Sequence, residues 1–323
     1  MSSSNTILVS VVMPCYNGAL WLRDSIESVL GQTFRELELI IVDDGSTDNS
    51  LQIAQSYLES DSRVKIIEQS NQGQSTARNR GIDVAEGRYL YFIDCDDRIV
   101  PETLAELYQI AQENKLEMVL FDASTFYDKG VGKSSLPPYI RDPVDSYKIF
   151  TGAQLLNRQL KSGEYRASVC LYLTKRELVE RLSLRFHRTI IHEDELYTPQ
   201  LLYNAKRVSH IAKEYYQRRV RLNSVMTIPF SRFNIESYLT VIEQLRRSSL
   251  IDRDGAEVVD RVINIIIPVL TYRSHTLPLK ERLSLIFRLA REGVIGRVPF
   301  KNLLLLLTPN FLKRGLKRII KSK

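Results

Sequence analysis

The sequence predicts an α/β domain with a mainly parallel sheet and helices on both faces, followed by a smaller, mostly helical C-terminal region. Two observations lead to this prediction. Short apolar runs alternate with segments of helical period through the first part of the chain, which is typical of consecutive βαβ units. Beyond about residue 228 only the helical period remains. We therefore expect one domain over residues 1–228 and a second region over residues 229–323.

The predicted elements follow the chain in a regular order. The β-branched run at residues 7–13 predicts a buried strand, and the apolar positions of residues 19–30 predict a helix that ends at Gly31. Further strands are expected at 37–42, 64–67, 90–93 and 117–121, with helices through Ile53 and at 75–86 and 101–114. Later segments are predicted as helices at 151–160 and 194–204, as extended chain at 168–173 and 207–220, and as a loop at 128–143.

Polar residues follow three of the predicted strands. They occupy residues 14–17, 43–48 and 94–97, each directly after an apolar run. In open α/β sheets, ligands bind outside the carboxyl ends of the strands. We therefore expect these three segments to lie together on one rim of the sheet and to form the binding site.

Three carboxylates follow the fourth strand. Asp94, Asp96 and Asp97 would repel one another at the end of a buried strand, and a divalent cation would remove that cost. Grouped oxygen ligands suit Mg²⁺ or Mn²⁺, which bind one or two carboxylates together with substrate phosphates. The alternative is an acidic turn that caps the next helix, which Pro101 would continue.

Composition excludes several other classes of protein. The chain has 323 residues, of which 44% are hydrophobic and 26% charged, as in an ordinary globular protein. Three cysteines without a CxxC pair argue for a reducing compartment and against a zinc cage. No signal-peptide pattern and no apolar run of about 18 residues is visible, so we expect a cytoplasmic protein. The net charge of +7 comes from the C-terminal end, which argues against nucleic-acid binding.

Four segments resemble a known family. VSVVMPCYNGALWLRDSIESVLGQTF, LIIVDDGSTDNS, NQGQSTARNRGI and YLYFIDCDD are similar to the motifs of the inverting glycosyltransferases of family 2, which have the Rossmann-like GT-A fold. The resemblance implies transfer of a sugar from a UDP-sugar with inversion at the anomeric carbon. Residues 1–100 would bind the nucleotide, and residues 101–228 would form the acceptor side. The Q-x-x-R-W motif of processive synthases is absent, so the resemblance implies a single addition.

The resemblance also implies roles for individual rim residues. Arg78 would sit near the nucleotide, where a permanently charged guanidinium suits a diphosphate. The other implied roles are Pro14, Tyr16 and Asn17 in the base pocket, Asp44 on the uracil ring, Asp94 near the ribose, Asp96 as the ligand of Mn²⁺ or Mg²⁺, and Asp97 as an additional carboxylate. Structural alternatives remain for several residues: a turn for Tyr16 and Asn17, helix caps for Asp43 and Asp48, and a surface helix position for Arg78.

Inversion in a single displacement needs a base that takes the acceptor proton. In RTIIHEDELYTPQLL, the resemblance points to Asp194 as this base, with Glu193 and Glu195 as alternatives. Acidic residues are favoured in first helical turns for structural reasons as well. The segment YYQRRVRLNSV resembles a later family motif. The residues that would contact the diphosphate there are Arg219, Arg221 and Ser224, and the alternative is a basic edge strand.

The end of the chain has a basic amphipathic pattern. In residues 311–323, Leu312, Leu316, Ile319 and Ile320 recur on one helical face beside basic residues. This pattern predicts a helix at the surface of an anionic membrane, and a solvated basic tail or a partner-facing helix is the alternative.

The sequence thus predicts a metal-dependent transferase that adds one sugar to a glycan acceptor in cell-surface polysaccharide or lipid-linked oligosaccharide synthesis. A lipid-diphosphate carrier is one acceptor that the basic tail would suit, and the protein would then be peripheral on the inner face of the cell membrane. The alternative is a catalytically silent subunit that binds sugar nucleotides or acts as a scaffold at the membrane.

Overall fold

A computed structural model describes residues 6–128, 131, 139–221, 229–248 and 253–308 of the chain. The chain forms two compact units. The first comprises Met1–Thr189 and Glu193–Ser224, and the second comprises Ile190–His192 and Val225–Lys323. Two of the predicted sites, Ser224 and the basic segment 311–323, lie outside the described residues, as does most of the predicted loop at 128–143.

The first unit is built on one mixed sheet. In the described ranges its strands are β1 Val9–Cys15, β2 Leu37–Asp43, β3 Val64–Glu68, β4 Tyr89–Phe92, β5 Arg98–Ile99, β6 Met118–Tyr127, β7 Ile149–Phe150, β8 Tyr172–Lys175 and β9 Val208–Val220. Their order is β3-β2-β1-β4-β8-β6-β9-β5, and β7 pairs with β9. The predicted α/β class with a sheet that is mostly parallel is confirmed.

Strand β1 lies in the parallel part of the sheet. It pairs with β2 on one side and with β4 on the other, so that Val9 is opposite both Leu37 and Tyr89. All residues of these three strands are buried, as their continuous apolar runs predict for strands covered on both faces. Because the strands run in the same direction, the polar residues that follow them meet at one edge.

The other part of the sheet differs from the predicted elements. Residues 168–173 are not simply extended, because Val169–Leu171 form a 3₁₀ turn, and β8 then runs antiparallel between β4 and β6. Strand β6 continues past the predicted end at 121 to Tyr127. It does so because it pairs in parallel with the long β9, with an irregularity around Asp122. Such pairings depend on the tertiary fold and leave no local period.

Helices pack against this sheet. The helices of the first unit are α1 Leu22–Leu30, α2 Ser50–Ser60, α3 Gln74–Val84, α4 Thr103–Glu113, α5 Gly152–Ser162, α6 Arg176–Arg181 and α7 Asp194–Tyr203. Helix α3 packs on β1 and β2, α4 packs on β6, and α5 packs on α7. Helices α1 and α4 begin later than predicted, because turns at residues 19–21 and 101–102 precede them, whereas α5 continues two residues past its predicted end.

The second unit is helical, as predicted. Its helices in the described ranges are α8 Arg232–Arg247, α9 Arg253–Ser274, α10 Leu279–Arg291 and α11 Phe300–Leu307. Arg282 is fully buried in this unit, and its Nη1 donates to the carbonyl oxygens of Leu305, Leu306 and Thr308 at 2.8 to 3.0 Å. These bonds satisfy carbonyl groups that the end of α11 leaves without helical partners. Of the helices that the structure describes, none has both the length and the apolar character needed to span a bilayer.

A glycine sets the contact between α5 and α7. Gly152 opens α5, and a Cβ at this position would lie 1.6 Å from the carbonyl oxygen of Leu202. Backbone atoms cannot turn aside as a flexible side chain can, so the two helices would have to separate. We expect Gly152→Ala to lower the free energy of unfolding by about 1–3 kcal/mol, as measured by urea denaturation. Gly296→Ala is the control, because a Cβ there meets nothing within 4 Å. Equal stability of the two variants would contradict the prediction.

Candidate functional site

The turn after β1 is joined to the turn after β2. Asn17 has a φ of 51°, a left-handed conformation that asparagine adopts more readily than most residues. Its side-chain oxygen accepts a hydrogen bond from the Thr47 N–H at 2.8 Å, and its own N–H donates to Ser46 Oγ at 3.0 Å. Pro14 is buried inside β1, whereas Tyr16 is 49% exposed. Asn17 therefore shapes the turn, and the Tyr16 ring is accessible to a planar ligand.

Asp44 holds the loop that precedes α3. Its buried carboxylate accepts hydrogen bonds from the backbone N–H groups of Gln72 and Gly73, both at 2.8 Å, and from Gln69 Nε2 at 2.6 Å. Gly73 has a φ of 88°, which glycine adopts without steric cost. Asp44 thus fixes one wall of the rim, and its implied contact with uracil stays a prediction.

Asp48 links the turn after β1 to α2. Its carboxylate accepts hydrogen bonds from the Ala19 N–H at 3.1 Å and from the Ser50 N–H at 3.0 Å. Burial favours a higher pKa for Asp48, but these hydrogen bonds outweigh it and lower the pKa. Asp48 therefore pairs with the first N–H of α2, although the N-cap position itself is Asn49.

Arg78 links two acidic segments that are distant in the sequence. It lies on α3 and is only 4% exposed, so the surface alternative for this residue is wrong. Its guanidinium donates to Asp94 Oδ1 at 2.9 Å and to Glu193 Oε1 at 2.5 Å, and its Cζ lies 5.4 Å from the centre of the Phe186 ring. Asp94 follows β4, and Glu193 precedes α7. The structure therefore brings the predicted donor segment and the predicted base segment into one site.

Burial and charge act in opposite directions on this cluster. Burial favours a lower pKa for Arg78, but the charges of Asp94 and Glu193 outweigh it and raise the pKa, so the guanidinium stays charged. For Glu193, burial raises the pKa, and Arg78 opposes that rise. Without Arg78, Glu193 would be a buried carboxylate with no counter-charge, which is strongly unfavourable.

Asp194 is the first residue of α7 and is less constrained than Glu193. Its Oδ1 accepts a hydrogen bond from the Glu195 N–H at 3.0 Å, and no ion pair to it is found in the described part of the chain. Burial raises the pKa of Asp194, and the charge of Arg78 opposes this. Burial and the charge of Asp194 raise the pKa of Glu195 to about 8. Since Glu193 is ion-paired and Glu195 is mostly protonated at neutral pH, the geometry favours Asp194 as a proton acceptor.

Two arginines from the end of β9 and beyond it contact the acidic segment after β4. Arg221 Nε donates to Asp96 Oδ2 at 2.5 Å, and Arg219 Nε donates to the Asp96 carbonyl oxygen at 2.8 Å. The buried carboxylate of Asp97 accepts hydrogen bonds from the Arg219 N–H and the Tyr216 O–H, both at 2.5 Å. Asp97 therefore ties the segment to the sheet, and Asp94 and Asp96 are the more accessible carboxylates.

The sequence analysis missed Trp21 and Asp128. The Arg221 Cζ lies 4.1 Å from the centre of the Trp21 ring, and Trp21 Nε1 donates to Asp128 Oδ2 at 2.8 Å. Arg219 Nη1 donates to the other oxygen of Asp128 at 2.8 Å. In the sequence, the only sign of this network is a single tryptophan next to a polar turn of the rim. Asp128 and Arg221, the partners of Trp21, lie more than 100 residues further along the chain.

The acidic segment after β4 fits a hard divalent cation. Burial and the charge of Asp94 raise the pKa of Asp96, while Arg221 opposes the rise, so additional positive charge would be favourable here. Among the residues that the structure describes, no group of three His, Cys, Asp or Glu side chains could hold a metal by itself. A cation would therefore be held by one or two carboxylates with water and phosphate oxygens, the usual mode of Mg²⁺.

Comparison with known proteins identifies the family. Residues 10–182 match the model of Glycosyl transferase family 2, which is more than half of the chain. The chain belongs to glycosyl transferase family 2. It is 34% identical over 226 residues to the uncharacterized glycosyltransferase YibD of Escherichia coli K12, and 32% identical over 226 residues to the uncharacterized glycosyltransferase EpsJ of Bacillus subtilis 168. These matches cover 70% and 69% of this chain, and 64% of the length of each relative.

Solved structures of two glycosyltransferases share the fold of this family member. TarS 1–349 of S. aureus, in complex with UDP-GlcNAc, aligns with a TM-score of 0.63 at 21% identity, over 90% of this chain and 89% of that chain. The mannosyltransferase PcManGT of Pyrobaculum calidifontis, in complex with GDP-Man and Mn²⁺, aligns with a TM-score of 0.57 at 14% identity, over 95% and 87%. At these identities the likeness shows the fold alone, and it confirms the predicted GT-A fold.

The buried contact between Arg78 and Glu193 can be tested by a double-mutant cycle. We expect Arg78→Gln to lower the free energy of unfolding by about 3–5 kcal/mol, because it leaves the buried carboxylate of Glu193 without its counter-charge. Glu193→Gln in the same chain should recover part of this loss, as measured by urea denaturation. Arg185→Gln, which removes an exposed ion pair with Asp83, is the control and should cost less than about 1 kcal/mol. Additive effects of the Arg78 and Glu193 substitutions would show that the contact is not coupled.

Proposed function

We propose that the protein is an inverting, non-processive glycosyltransferase that moves a single sugar from a UDP-sugar to a hydroxyl group of a glycan acceptor. The observation that carries the proposal is the pair of bonds from Arg78 to Asp94 and to Glu193. Asp94 belongs to the segment that the family motifs assign to the donor, and Glu193 precedes the proposed base. A donor and an acceptor hydroxyl could therefore meet in this site.

The rim turns are proposed to bind the nucleotide. Tyr16 presents an exposed ring on which a base can stack, and Asp44 and Asn17 hold the loops on either side of it. UDP-GlcNAc is present in the TarS structure, which supports uridine as the base to test first. GDP-Man is present in the PcManGT structure, so guanosine is the competing base.

Asp194 is proposed to accept the proton of the attacking hydroxyl as the new glycosidic bond forms. Of the three carboxylates at the start of α7, Glu193 pairs with Arg78, and the pKa of Glu195 is raised to about 8. Asp194 has neither of these properties. Its pKa is raised by burial, which makes its ionised form a stronger base than a solvent-exposed aspartate. Only the ionised form can take the proton, so transfer should rise as the pH rises through this pKa.

The departing diphosphate needs positive charge beside it. Arg221 holds a guanidinium beside Asp96, and Arg219 and Trp21 keep the chain there in place. A Mg²⁺ or Mn²⁺ ion at Asp96, with Asp94 as its neighbour, would supply further stabilisation of the leaving group.

The acceptor is proposed to be a glycan at the inner face of the cell membrane, with a lipid-diphosphate carrier as one form. The support for this location is the basic pattern of residues 311–323.

Replacing the proposed base tests the reaction directly. We expect Asp194→Asn to reduce sugar release from UDP-sugars by about 10²–10⁴-fold, because general-base assistance is lost. The Kd of UDP, measured by calorimetry, should change less than about twofold. The rise of the wild-type rate with pH should be absent in the variant. Glu177→Gln, in the first turn of α6, is the matched control and should behave as wild type. Equal loss of UDP binding and turnover would rule out the base role, and an inactive wild type that binds UDP would favour the scaffold interpretation.

Nucleotide and metal preference can be tested together. In the presence of Mn²⁺, UDP-sugars should protect the protein against thermal unfolding more than GDP- or dTDP-sugars do. In wild type, Mn²⁺ should raise the affinity for UDP by about tenfold or more relative to EDTA. Asp96→Asn should remove this increase. Asp142→Asn, on an exposed turn, should keep that gain. Protection by GDP-sugars alone would overturn the assignment of uracil as the nucleotide base. If Mn²⁺ still raises the UDP affinity of Asp96→Asn, Asp96 is not the metal ligand.

A further inference from the structure

Arg218 of β9 is a buried arginine whose described contacts are neutral. It is 9% exposed, its Nη2 donates to Thr125 Oγ1 at 3.2 Å, and its Cζ lies 4.2 Å from the centre of the Tyr139 ring. Its Nε and Nη1 are buried and have no hydrogen-bond partner in the part of the chain that the structure describes. A guanidinium is charged at every physiological pH, so burying it without an anion is unfavourable. One hydroxyl group and one aromatic ring offset only part of that cost.

The side chain of Arg218 lies against the ring of Tyr139. Successive side chains of a strand point to opposite faces, so Arg218 shares its face of β9 with Tyr216, whose hydroxyl donates to Asp97. Tyr139, on which Arg218 stacks, is also close enough to Asp194 to be affected by it. Burial raises the pKa of Tyr139, the charge of Arg218 opposes the rise and the charge of Asp194 adds to it. Arg218 and Asp194 are therefore both near Tyr139.

Further buried polar atoms lack hydrogen-bond partners within the described residues, and two of them belong to residues that sense the charge of Asp194. These two are Tyr165 Oη and Glu195 Oε2. Burial and the charges of Glu195 and Asp194 raise the pKa of Tyr165, so its hydroxyl is also near the proposed base. Buried polar groups are almost always paired in folded proteins. Several unpaired groups beside one carboxylate indicate a place that a polar ligand completes.

We propose that Arg218 binds an anionic group of the acceptor, a phosphate or a carboxylate, beside the hydroxyl group that Asp194 deprotonates. This inference rests on the proposed function and names the chemistry of its acceptor. The donor diphosphate is the competing anion, but it is expected beside Asp96. Arg219 and Arg221 contact Asp96, and Arg219 points to the opposite face of β9. An acceptor with an anionic group close to its reactive hydroxyl is therefore favoured over a neutral glycan.

Calorimetry with small probes tests this site. The protein is first saturated with UDP and Mn²⁺, so that the donor site is filled. It is then titrated with glycerol 3-phosphate as the phosphate probe, glycerate as the carboxylate probe and glycerol as the neutral probe. We expect wild type to bind at least one of the two anions and to show no binding of glycerol. Arg218→Gln should weaken anion binding by about tenfold or more, while the Kd of UDP changes less than about twofold. Arg218→Lys should keep part of the anion affinity, because it keeps the charge.

Arg98→Gln is the matched control. Arg98 also stacks on an aromatic ring, with its Cζ 4.4 Å from the centre of Phe126, and its Nε is also buried without a partner among the described residues. This variant should leave both affinities unchanged. Three outcomes would overturn the proposal: no anion binding by wild type, an unchanged anion affinity in Arg218→Gln, or an equal loss of UDP affinity in that variant. If wild type fails to bind UDP, the proposed function is refuted instead, and titration of the anions without UDP still tests Arg218.

Discussion

A single buried guanidinium determines how the first unit arranges its site. Arg78 neutralises the buried carboxylate of Glu193, which would otherwise have no counter-charge, and pairs with the more accessible Asp94 as well. Its position on α3 requires that helix to bury polar residues, so α3 packs on β1 and β2 through small and polar side chains. The interaction therefore joins the helix after the third strand, the turn after the fourth strand and the start of α7.

The remaining carboxylates of the site differ in what they contact, and this difference separates structural from chemical roles. Asp44 and Asp97 accept hydrogen bonds from backbone N–H groups and are buried, which is the environment of a carboxylate that holds loops together. Asp96 contacts a guanidinium, whose place beside the carboxylate a divalent cation could take. Asp194 accepts one hydrogen bond from its neighbour and has a raised pKa. Its other oxygen has no hydrogen-bond partner among the described residues.

The sequence was sufficient for the parallel part of the sheet and for the rim, because continuous apolar strands and the turns after them leave strong local patterns. The burial of Arg78 could not be predicted from the sequence pattern. Helix α3 is buried but polar, so it has almost no apolar face that would mark its buried side. The pairing of β8 between β4 and β6 depends on contacts between distant segments. The contacts of Trp21 depend on the same kind of distant pairing. Arg218 was overlooked for a related reason: in a run of basic residues, only the fold shows which one has no anionic partner among the described residues.

Strand β9 carries arginines on both of its faces. Its side chains alternate, so that Tyr216 and Arg218 point to one face and Arg219 to the other, where it donates to Asp128. A shift of one residue in the pairing of β9 would exchange the two faces and move every one of these charges. The strand is held against such a shift by β6 on one side and by β5 and β7 on the other. The long β6–β9 pairing therefore keeps Arg218 and Arg219 on opposite faces of the strand.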